Sequence, residues 1–416
     1  MADSGLRAAV VDGVRTPFVK AGTAFSDYTF QQLGVHALKA LVERSGVDPK
    51  TIDEFIYSTV LLDSRTPNWA REIVFAAGMP KTLYAESVSN NCISGLVAIA
   101  SSARRIALGQ SHCSIAGGSE SMSKPTLRYS DHGSDIFLKL SRARSMGERA
   151  GQLLKLRPKD LFPPTPAVTE PSTGLTMGQH MEMTAKEMGI VREAQDEVAL
   201  ASHKNAAAAT EDGRLLAEIA PLNGVDRDGI IRGDTSLEKL ARLKPVFDRS
   251  SAGTLTAGNS SALTDGASAV MLMSESRAKQ EGKEPLAFIT DFEFSAIDPN
   301  EGLLMAPAVA VPRLLKRNNL TFDDFDYIEI HEAFAAQLLA NIKAWEEGWK
   351  EPAVGKVDRS KVNVMGGSVA IGHPFAATGG RIVTSLANQM KRSGAKRGLI
   401  SICAAGAMAC AMILER

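Results

Sequence analysis

Apolar and polar residues alternate along the chain with two periods, which together predict a layered α/β fold. Short apolar runs predict strands, whereas apolar residues three and four positions apart predict helices. In chain order, the first predicted elements are a strand at 6–14, a helix at 30–47, a strand at 55–62, a helix at 95–109 and a buried strand at 112–123 that runs into a glycine turn. Gly46 and Gly109 end the two helices, as C-terminal glycines do. Strands that alternate with helices are typical of layered α/β proteins.

The order helix, acidic turn, strand occurs a second time after residue 300. Residues 309–334 follow the pattern of residues 38–60, and residues 378–414 follow the helix and strand around 98–121. We therefore predict two related halves that pack against each other, with a pocket where they meet.

The region between the two halves has a different composition. The stretch 138–160 contains seven Lys or Arg and two acidic residues, and 157–174 contains five of the 18 prolines. Such stretches interrupt regular elements and indicate an excursion from the core. The predicted units are the N-terminal half at 1–122, an inserted domain at 123–250, the completion of the N-terminal half at 251–284 and the C-terminal half at 285–416.

Composition narrows the functional classes. Lys plus Arg and Asp plus Glu are equal at 47 each, so no overall field attracts nucleic acid or an anionic membrane. Four scattered cysteines are too few for a disulfide scaffold and favour a reducing compartment. The N-terminus lacks a signal-peptide pattern, and no apolar run reaches roughly 18 residues. We expect a cytoplasmic protein, or a mitochondrial one if it is eukaryotic and its import sequence has been removed.

Cys92 follows two asparagines and precedes a predicted helix, in NNCISG at 90–95. Asparagine is a good N-cap residue. The free N–H groups and the dipole at a helix N-terminus favour a thiolate and lower the pKa of a thiol. The alternative is a small, buried, apolar cysteine. Taken alone, this segment leaves both interpretations open.

Three further side chains lie near predicted element ends. Cys403 ends a strand before a turn of small residues at 404–407, His331 follows a strand, and His373 lies in a glycine-rich segment. Because ligands gather at the C-terminal ends of strands in layered α/β proteins, the two halves would bring these side chains and Cys92 together. Two thiols and two imidazoles in one pocket suit covalent acyl transfer, with a cysteine nucleophile and a histidine base.

Other uses of these residue types fit the sequence less well. Zinc ligands usually come as close pairs such as C-x-x-C, which the chain lacks, so we expect no metal. The chain has no P-loop and no strand–GxGxxG–helix unit, which argues against nucleoside triphosphates and NAD. We expect Cys113 and Cys410 in the core and His180 at the surface. The histidines expected to play only structural roles are His36, His112, His132 and His203.

Seven segments, in this order, resemble the thiolase family. They are GVRTPF at 13–18, NNCISG at 90–95, AGGSESMS at 116–123, TAGNSSALTDGA at 256–267, HEAF at 331–334, GHPFAATG at 372–379 and CAAG at 403–406. Each is short, but all seven in order are specific. HEAF in place of NEAF, CAAG in place of CGGG, and residues 241–261 resemble the long-chain branch, the 3-ketoacyl-CoA thiolase (beta) subunits of fatty-acid β-oxidation multienzyme complexes. The basic stretch 138–160 is similar to the inserted loop of that branch.

The resemblance implies a fold and a reaction. The fold would be two duplicated βαβαβαββ halves in a layered α/β/α/β/α core, with an inserted loop domain. The reaction would be thiolytic cleavage of a 3-oxoacyl-CoA through an acyl-Cys92 intermediate, with CoA as a substrate and no permanently bound cofactor. By resemblance, His373 helps to deprotonate Cys92, and Cys403 protonates the acetyl-CoA enolate.

The family pattern also implies binding roles. The N–H groups of Cys92 and Ala405 would form one oxyanion hole, and His373 with a water near His331 would form the other. The implied substrate contacts are Ser261 on the pantetheine arm and Phe334 and Met177 along the channel. Ala407 and Ala376 depart from the pattern because glycine is usual at both positions. We expect the methyl group of Ala407 to crowd an acyl chain.

Three other functions stay open on sequence alone. An acetoacetyl-CoA-forming (biosynthetic) acetyl-CoA acetyltransferase would share all these residues. A 3-oxoacyl synthase would be expected to carry a histidine in place of Cys403, and a scaffold subunit of a β-oxidation complex would only bind acyl-CoA. The resemblance implies a homodimer or a dimer of dimers, with a hydratase/dehydrogenase subunit as a candidate partner. The stretch 138–160 is either a solvated basic face or a contact for CoA phosphates, a partner or a membrane surface; no nucleic-acid partner is expected.

Overall fold

Strands and helices alternate through most of the chain, as the hydrophobic pattern predicted. The structure, a computed structural model, describes residues 7–162 and 169–416. The start of the first predicted strand and part of the proline-rich stretch lie outside the described residues. The strands are β1 Ala8–Arg15, β2 Val19–Lys20, β3 Glu54–Ser58, β4 Tyr84–Val88, β5 Cys113–Glu120, β6 Thr264–Ser274, β7 Ala287–Ala296, β8 Tyr327–Ile330, β9 Arg397–Ala404 and β10 Met408–Glu415. The α-helices are α1 Phe30–Ser45, α2 Trp69–Ala76, α3 Ser94–Ala107, α4 Asp131–Arg142, α5 Met146–Leu153, α6 Met177–Glu187, α7 Arg192–Glu211, α8 Leu237–Ala241, α9 Glu275–Gln280, α10 Pro307–Asn318, α11 Ala335–Glu347, α12 Ser368–Ile371 and α13 Thr378–Ser393.

The sheet shows the duplication directly. Its hydrogen-bonded order is β4-β3-β5-β6-β1-β7-β10-β9-β8, and β2 pairs with β6. From β3 and from β8 inward, the two halves have the same order, because the parallel pairs β3–β5 and β8–β9 are each followed by antiparallel strands; β4 also pairs with β3 in parallel at the outer edge of the first half. The position of β4 is taken in the second half by Val362, which forms a single parallel bridge to Ile328. The halves join where residues 8–10 of β1 pair with residues 287–289 of β7.

Helices cover both sides of the sheet and fill the space between its halves. A central apolar cluster contains α3 and α13 together with strands from both halves. A second cluster joins α1 and α2 to the N-terminal strands, and a third joins α10 and α11 to the C-terminal strands. Along β10, Met412 belongs to the central cluster and its neighbour Ile413 to the outer one, as the two-residue period of a strand requires. The predicted α/β/α/β/α layering is therefore confirmed.

The region between β5 and β6 is helical and carries α4 to α8. Of these, α6 and α7 pack on α11 of the C-terminal half, so the region covers one end of the core. The basic stretch, predicted to interrupt regular structure, contains the end of α4 and all of α5. The boundaries 123 and 250 stay a prediction. Within the described ranges, no helix has the length and apolar character needed to span a bilayer.

Candidate active site

The two candidate thiols meet across the interface of the halves. Cys92 lies two residues before α3, and Cys403 is the next-to-last residue of β9. The turn after β9 approaches Cys92, since Asn91 Nδ2 donates to the carbonyl oxygen of Ala405 at 3.0 Å. The backbone N–H groups of Ala405 and of Cys92 itself lie near the Cys92 sulfur, where both lower the pKa of the thiol. The two N–H groups predicted to form an oxyanion hole therefore converge on the predicted nucleophile.

The asparagines before Cys92 do not cap α3, contrary to prediction. Asn91 adopts the left-handed region with φ 47°, and its side chain is engaged by Ala405 instead. Ser94 Oγ holds the bend in this segment with two hydrogen bonds. It accepts from the Asn90 N–H at 2.7 Å and donates to the Asn91 carbonyl oxygen at 2.6 Å. The bend turns Cys92 toward the β9–β10 turn.

The predicted lowering of the Cys92 pKa is wrong for the free protein. The residue is half-buried, yet burial of its thiol raises the pKa to about 11, and the nearby carboxylate of Glu120 adds to the rise. The two N–H donors act in the opposite direction but do not offset burial. Burial and the proximity of Cys92 raise the pKa of Cys403 well above its ordinary value. Both groups are thiols at neutral pH, so Cys92 needs a base.

Alkylation of Cys92 by iodoacetamide is expected to accelerate about tenfold per pH unit from pH 6 to near 10, because the thiolate fraction grows throughout that range. The second-order rate constant, followed by peptide mass spectrometry, measures this. Cys92→Ser corrects for the other three thiols, which are all buried. A plateau of this rate constant below about pH 8 would show that the helix N-terminus lowers the pKa of Cys92 more than burial raises it.

The two candidate histidines form an adjacent pair whose ring planes are tilted by 49°. The ring centroids of His331 and His373 are 4.1 Å apart. His331 follows the last residue of β8, and its N–H donates to the carbonyl oxygen of Ser401, two residues before Cys403. Both Nε2 atoms are buried without a hydrogen-bond partner among the described residues, so both are available to a substrate or to a cysteine.

The neighbours of His373 determine where it carries its proton. Its Nδ1 lies 2.7 Å from Thr378 Oγ1, and that hydroxyl donates its hydrogen to the Pro374 carbonyl oxygen at 3.2 Å. Thr378 must therefore accept from Nδ1–H, which leaves a lone pair on Nε2. Burial, and next the positive charge of Arg381, lower the pKa of His373 to about 3. At neutral pH His373 is a neutral imidazole that can accept a proton at Nε2.

Glycine brings the His373 segment against the Cys92 helix. A Cβ atom on Gly379 would lie 2.5 Å from the backbone nitrogen of Leu96, and one on Gly95 would lie 2.6 Å from the carbonyl oxygen of Ala376. Neither contact is possible for a side chain, so the start of α13 and the start of α3 meet backbone to backbone. This approach places the residues after His373 beside those after Cys92.

Two buried glutamates fix the loops around the site. Glu120 accepts from the N–H groups of Val60 and Leu61 at 3.0 Å, and burial raises its pKa to about 7. Glu332 lies three residues before the start of α11 and does not belong to that helix. Its carboxylate is instead buried and accepts from Ser202 Oγ at 2.7 Å and from Asn363 Nδ2 at 2.6 Å.

Ala407 and Ala376, which stand where glycine is usual in the family, differ in backbone strain. Ala407 adopts a left-handed conformation with φ 55°, which costs about 1 kcal/mol for a residue with a Cβ atom. It is fully buried in the apolar cluster that contains Cys403 and Phe334, so its methyl group does lie beside the site. Ala376 is buried with a negative φ, so its Cβ causes no such backbone strain.

A cavity of about 640 Å³ opens beside this site. Its lining includes Ser261 and the basic residues Lys20, Arg232 and Lys239. None of the four candidate catalytic side chains lines it, but its wall continues into theirs, because the Ser261 N–H donates to the Ala333 carbonyl oxygen at 3.0 Å. The basic stretch 138–160 contributes no lining residue. No group of three or more metal-ligating side chains occurs in residues 7–162 and 169–416.

The predicted channel residues lie in one apolar cluster. Phe334 belongs to the cluster around Cys403, and Met177, the first residue of α6, packs against it. Phe247, which sequence reasoning missed, lies edge-on to Phe334 with ring centroids 5.7 Å apart and also lines the cavity. Gly178 leaves room for the Phe247 ring, since a Cβ atom at position 178 would lie 2.2 Å from it.

Sequence reasoning also missed or misplaced three polar side chains. Glu170, from the inserted region, accepts from the Gly406 N–H at 2.8 Å and so holds the turn that approaches Cys92. His203 lines the cavity, and burial lowers its pKa to about 4. His180 was expected at the surface but is buried on α6.

Comparison with known proteins accounts for this arrangement. A model of the thiolase N-terminal domain matches residues 8–276, and a model of the thiolase C-terminal domain matches residues 283–416. The chain belongs to the thiolase family. Thiolases are acyltransferases, and the sequence-based resemblance and fold class are both confirmed.

Individual thiolases match over nearly their full length. The 3-ketoacyl-CoA thiolase of Aeromonas salmonicida is 44% identical over 424 residues, which cover 99% of this chain and 97% of the relative. The crystal structure of the Bacillus anthracis acetyl-CoA acetyltransferase superposes with a TM-score of 0.86 at 33% identity, covering 99% of this chain and 98% of the other. Human mitochondrial 3-ketoacyl-CoA thiolase in complex with CoA superposes with a TM-score of 0.84 at 30% identity, with the same coverage.

Proposed function

We propose that this thiolase cleaves 3-oxoacyl-CoA with CoA, giving acetyl-CoA and a shortened acyl-CoA through an acyl-Cys92 intermediate. One observation carries the proposal: the Asn91 side chain donates to the Ala405 carbonyl oxygen at 3.0 Å and so holds the backbone N–H groups of Ala405 and Cys92 near the Cys92 sulfur. An acyl group on that sulfur would place its carbonyl oxygen within reach of both donors. Each such donor typically contributes roughly 3 kcal/mol to the transition state.

The first half-reaction uses one base and one acid. The lone pair on His373 Nε2 accepts the Cys92 proton, and the sulfur attacks the 3-keto carbon. The bond between C2 and C3 then breaks, and Cys403 gives its proton to C2 of the departing acetyl-CoA enolate. The raised pKa of Cys403 suits this step, because the thiol keeps its proton at neutral pH until a strongly basic carbon is formed.

The second half-reaction reverses the proton transfers. CoA enters in place of acetyl-CoA, and Cys403 together with His373 removes the proton of its thiol. Its sulfur attacks the acyl carbonyl carbon, and Cys92 leaves as the thiolate and regains a proton. In the first half-reaction, His373 Nε2, once it carries the proton taken from Cys92, and a water held near His331 would stabilise the thioester oxygen of the enolate.

The cavity of about 640 Å³ is our candidate for the CoA site. Lys20 and Arg232 provide positive charge in its wall for phosphate groups, whereas Lys239 is paired with Asp234, which also lines the cavity, at 2.7 Å. Ser261 stands where the wall passes into the site and would contact the pantetheine arm. Phe334 and Met177 would then line the inner channel. The human relative solved with CoA supports CoA as the ligand class.

A biosynthetic acetyl-CoA acetyltransferase is the second candidate. It is supported by the Bacillus anthracis enzyme, whose TM-score of 0.86 is slightly above the 0.84 of the human thiolase. The degradative reaction is favoured by sequence, since the Aeromonas salmonicida 3-ketoacyl-CoA thiolase is 44% identical and the acetyltransferase 33%. A 3-oxoacyl synthase or a scaffold subunit is disfavoured by the thiol of Cys403 and by the complete site.

Assembly and compartment belong to the proposal as well. We infer a homodimer or a dimer of dimers in the cytoplasm, or in the mitochondrion for a eukaryotic source. A hydratase/dehydrogenase subunit or a membrane surface would contact α4 and α5. These helices expose Leu138, Met146 and Leu154 among the basic residues of 138–160, which a merely solvated face would not need.

Thiolysis of 3-oxoacyl-CoAs from four to sixteen carbons tests the proposal. We expect kcat/KM to be higher for the long members than for acetoacetyl-CoA. Turnover of acetoacetyl-CoA alone would identify a short-chain or biosynthetic thiolase. Turnover only after addition of a hydratase/dehydrogenase partner would favour the complex-subunit function.

A further inference from the structure

Ser368 connects His331 to a buried arginine. Ser368 Oγ lies 2.9 Å from His331 Nδ1 and accepts from Arg381 Nη2 at 2.9 Å. Arg381 in turn has Nη1 3.7 Å from a carboxylate oxygen of Glu329, and all four side chains are nearly inaccessible to solvent. Spacing along the chain does not indicate this connection, because the four residues come from three separate segments.

The Ser368 hydroxyl has one hydrogen-bond acceptor within reach among the described residues. Arg381 only donates, so the remaining neighbour that can accept it among the described residues is His331 Nδ1. A buried hydroxyl that failed to donate would leave polar groups unpaired, which is rare in folded proteins. Nδ1 of His331 therefore accepts, and the ring carries its proton on Nε2.

We propose that Ser368, held by Arg381, is a positioning residue that fixes His331 as the Nε2–H tautomer, opposite to that of His373. The two adjacent histidines then offer one hydrogen-bond acceptor and one donor. The acceptor, on His373, takes a proton, while the donor, on His331, holds a water or a substrate oxygen. Burial supports the neutral state, since it lowers the pKa of His331 well below its ordinary value. The consequence for catalysis rests on the proposed thiolase reaction, whereas the tautomer does not.

The tautomer is measured first, by ¹⁵N NMR of protein labelled at its histidine ring nitrogens. His331→Asn identifies the His331 signals. We expect His331 to show a protonated Nε2 and an unprotonated Nδ1, and His373 the reverse. A protonated Nδ1 on His331 would overturn the proposal whether or not the protein is a thiolase.

Ser368→Ala is then compared with Ser102→Ala. Ser102 Oγ is buried on α3 and bonded to Ser114 Oγ at 2.6 Å, so its loss has a similar structural cost away from the histidines. Ser368→Ala should release the tautomer of His331 and lower kcat about 100-fold with a smaller change in KM, since an oriented donor is lost. Ser368→Thr, which keeps the hydroxyl, should restore the NMR signature.

The outcomes separate the two claims. An unchanged His331 tautomer in Ser368→Ala, or an equal loss of kcat in Ser102→Ala, would overturn the role of Ser368. A wild-type protein that shows the expected tautomers but no thiolysis would contradict the proposed function and leave the positioning role standing.

Discussion

Cys92→Ser is expected to lower kcat for thiolysis by about 10⁴-fold or more, the scale seen when a covalent nucleophile is removed. The pKa of Cys92 is already raised to about 11, so the proton transfer to neutral His373 is demanding even for a thiol. A serine hydroxyl is far less acidic and is a poorer nucleophile at the same position. The two N–H donors would remain, but no acyl group would form for them to stabilise.

Two measurements are needed, because a lost rate alone does not identify a nucleophile. The rate of 3-oxoacyl-CoA disappearance gives kcat, and mass spectrometry of enzyme mixed with substrate but no CoA shows whether the peptide with Cys92 gains the acyl mass. Cys113→Ser is the matched control, since Cys113 is a buried cysteine at the start of β5. It should retain near wild-type kcat. A Cys92→Ser enzyme that kept one hundredth of the rate, or an acyl mass on Cys403, would assign the nucleophile elsewhere.

The hydrophobic pattern was sufficient for the elements that this site stands on. α1 ends at Gly46 with φ 64°, as its sequence predicted, and β5 lies within the predicted run 112–123, although it continues through Gly117 and Gly118 and does not end in a glycine turn there. These elements follow from local periodicity, which a single sequence displays. The duplication was also visible, because helix, acidic turn and strand recur in both halves.

The site was predictable in its residues but not in its interactions. Asn91 could not be distinguished from a helix cap, because its partner Ala405 lies 314 positions away. The hydrogen bond between Ser202 and Glu332 joins residues 130 positions apart, so the sequence did not indicate it. Glu170 holds Gly406 across 236 positions. Such pairs follow from tertiary packing, which composition and spacing do not record.

The pKa of Cys92 was predicted wrongly for the same reason. The rule that a helix N-terminus lowers a thiol pKa is local and was applied correctly to the segment around Cys92. The opposing effect is burial of the thiol in the assembled site, which raises the pKa to about 11 although Ala405, from the other half of the chain, acts to lower it. A site assembled from two halves therefore has pKa values that neither half predicts.

His373→Asn is expected to lower kcat about 10³-fold, the middle of the range for a general base. The amide retains polarity but offers no basic nitrogen to Cys92. Because the pKa of His373 is lowered to about 3, its base form persists from neutral pH down to that value. The wild-type pH–rate profile should therefore show no loss of activity from this group between pH 5 and pH 8. A fall in kcat/KM below a pKa of about 6.5 that is absent from His373→Asn would contradict this.

His112→Asn is the matched control for His373→Asn. His112 has an exposed side chain before β5 and should keep its full rate. If His373→Asn kept a tenth of kcat, another base would have to serve Cys92, and the nearest imidazole is that of His331, 4.1 Å away between centroids. His331 could take over only by releasing the proton on its Nε2, which Ser368 holds in place through Nδ1. Because the two histidines carry opposite tautomers, His331 cannot replace His373 as the base, and His373→Asn should lose most of its rate. Adding Ser368→Ala to His373→Asn releases the His331 tautomer and should restore part of that rate.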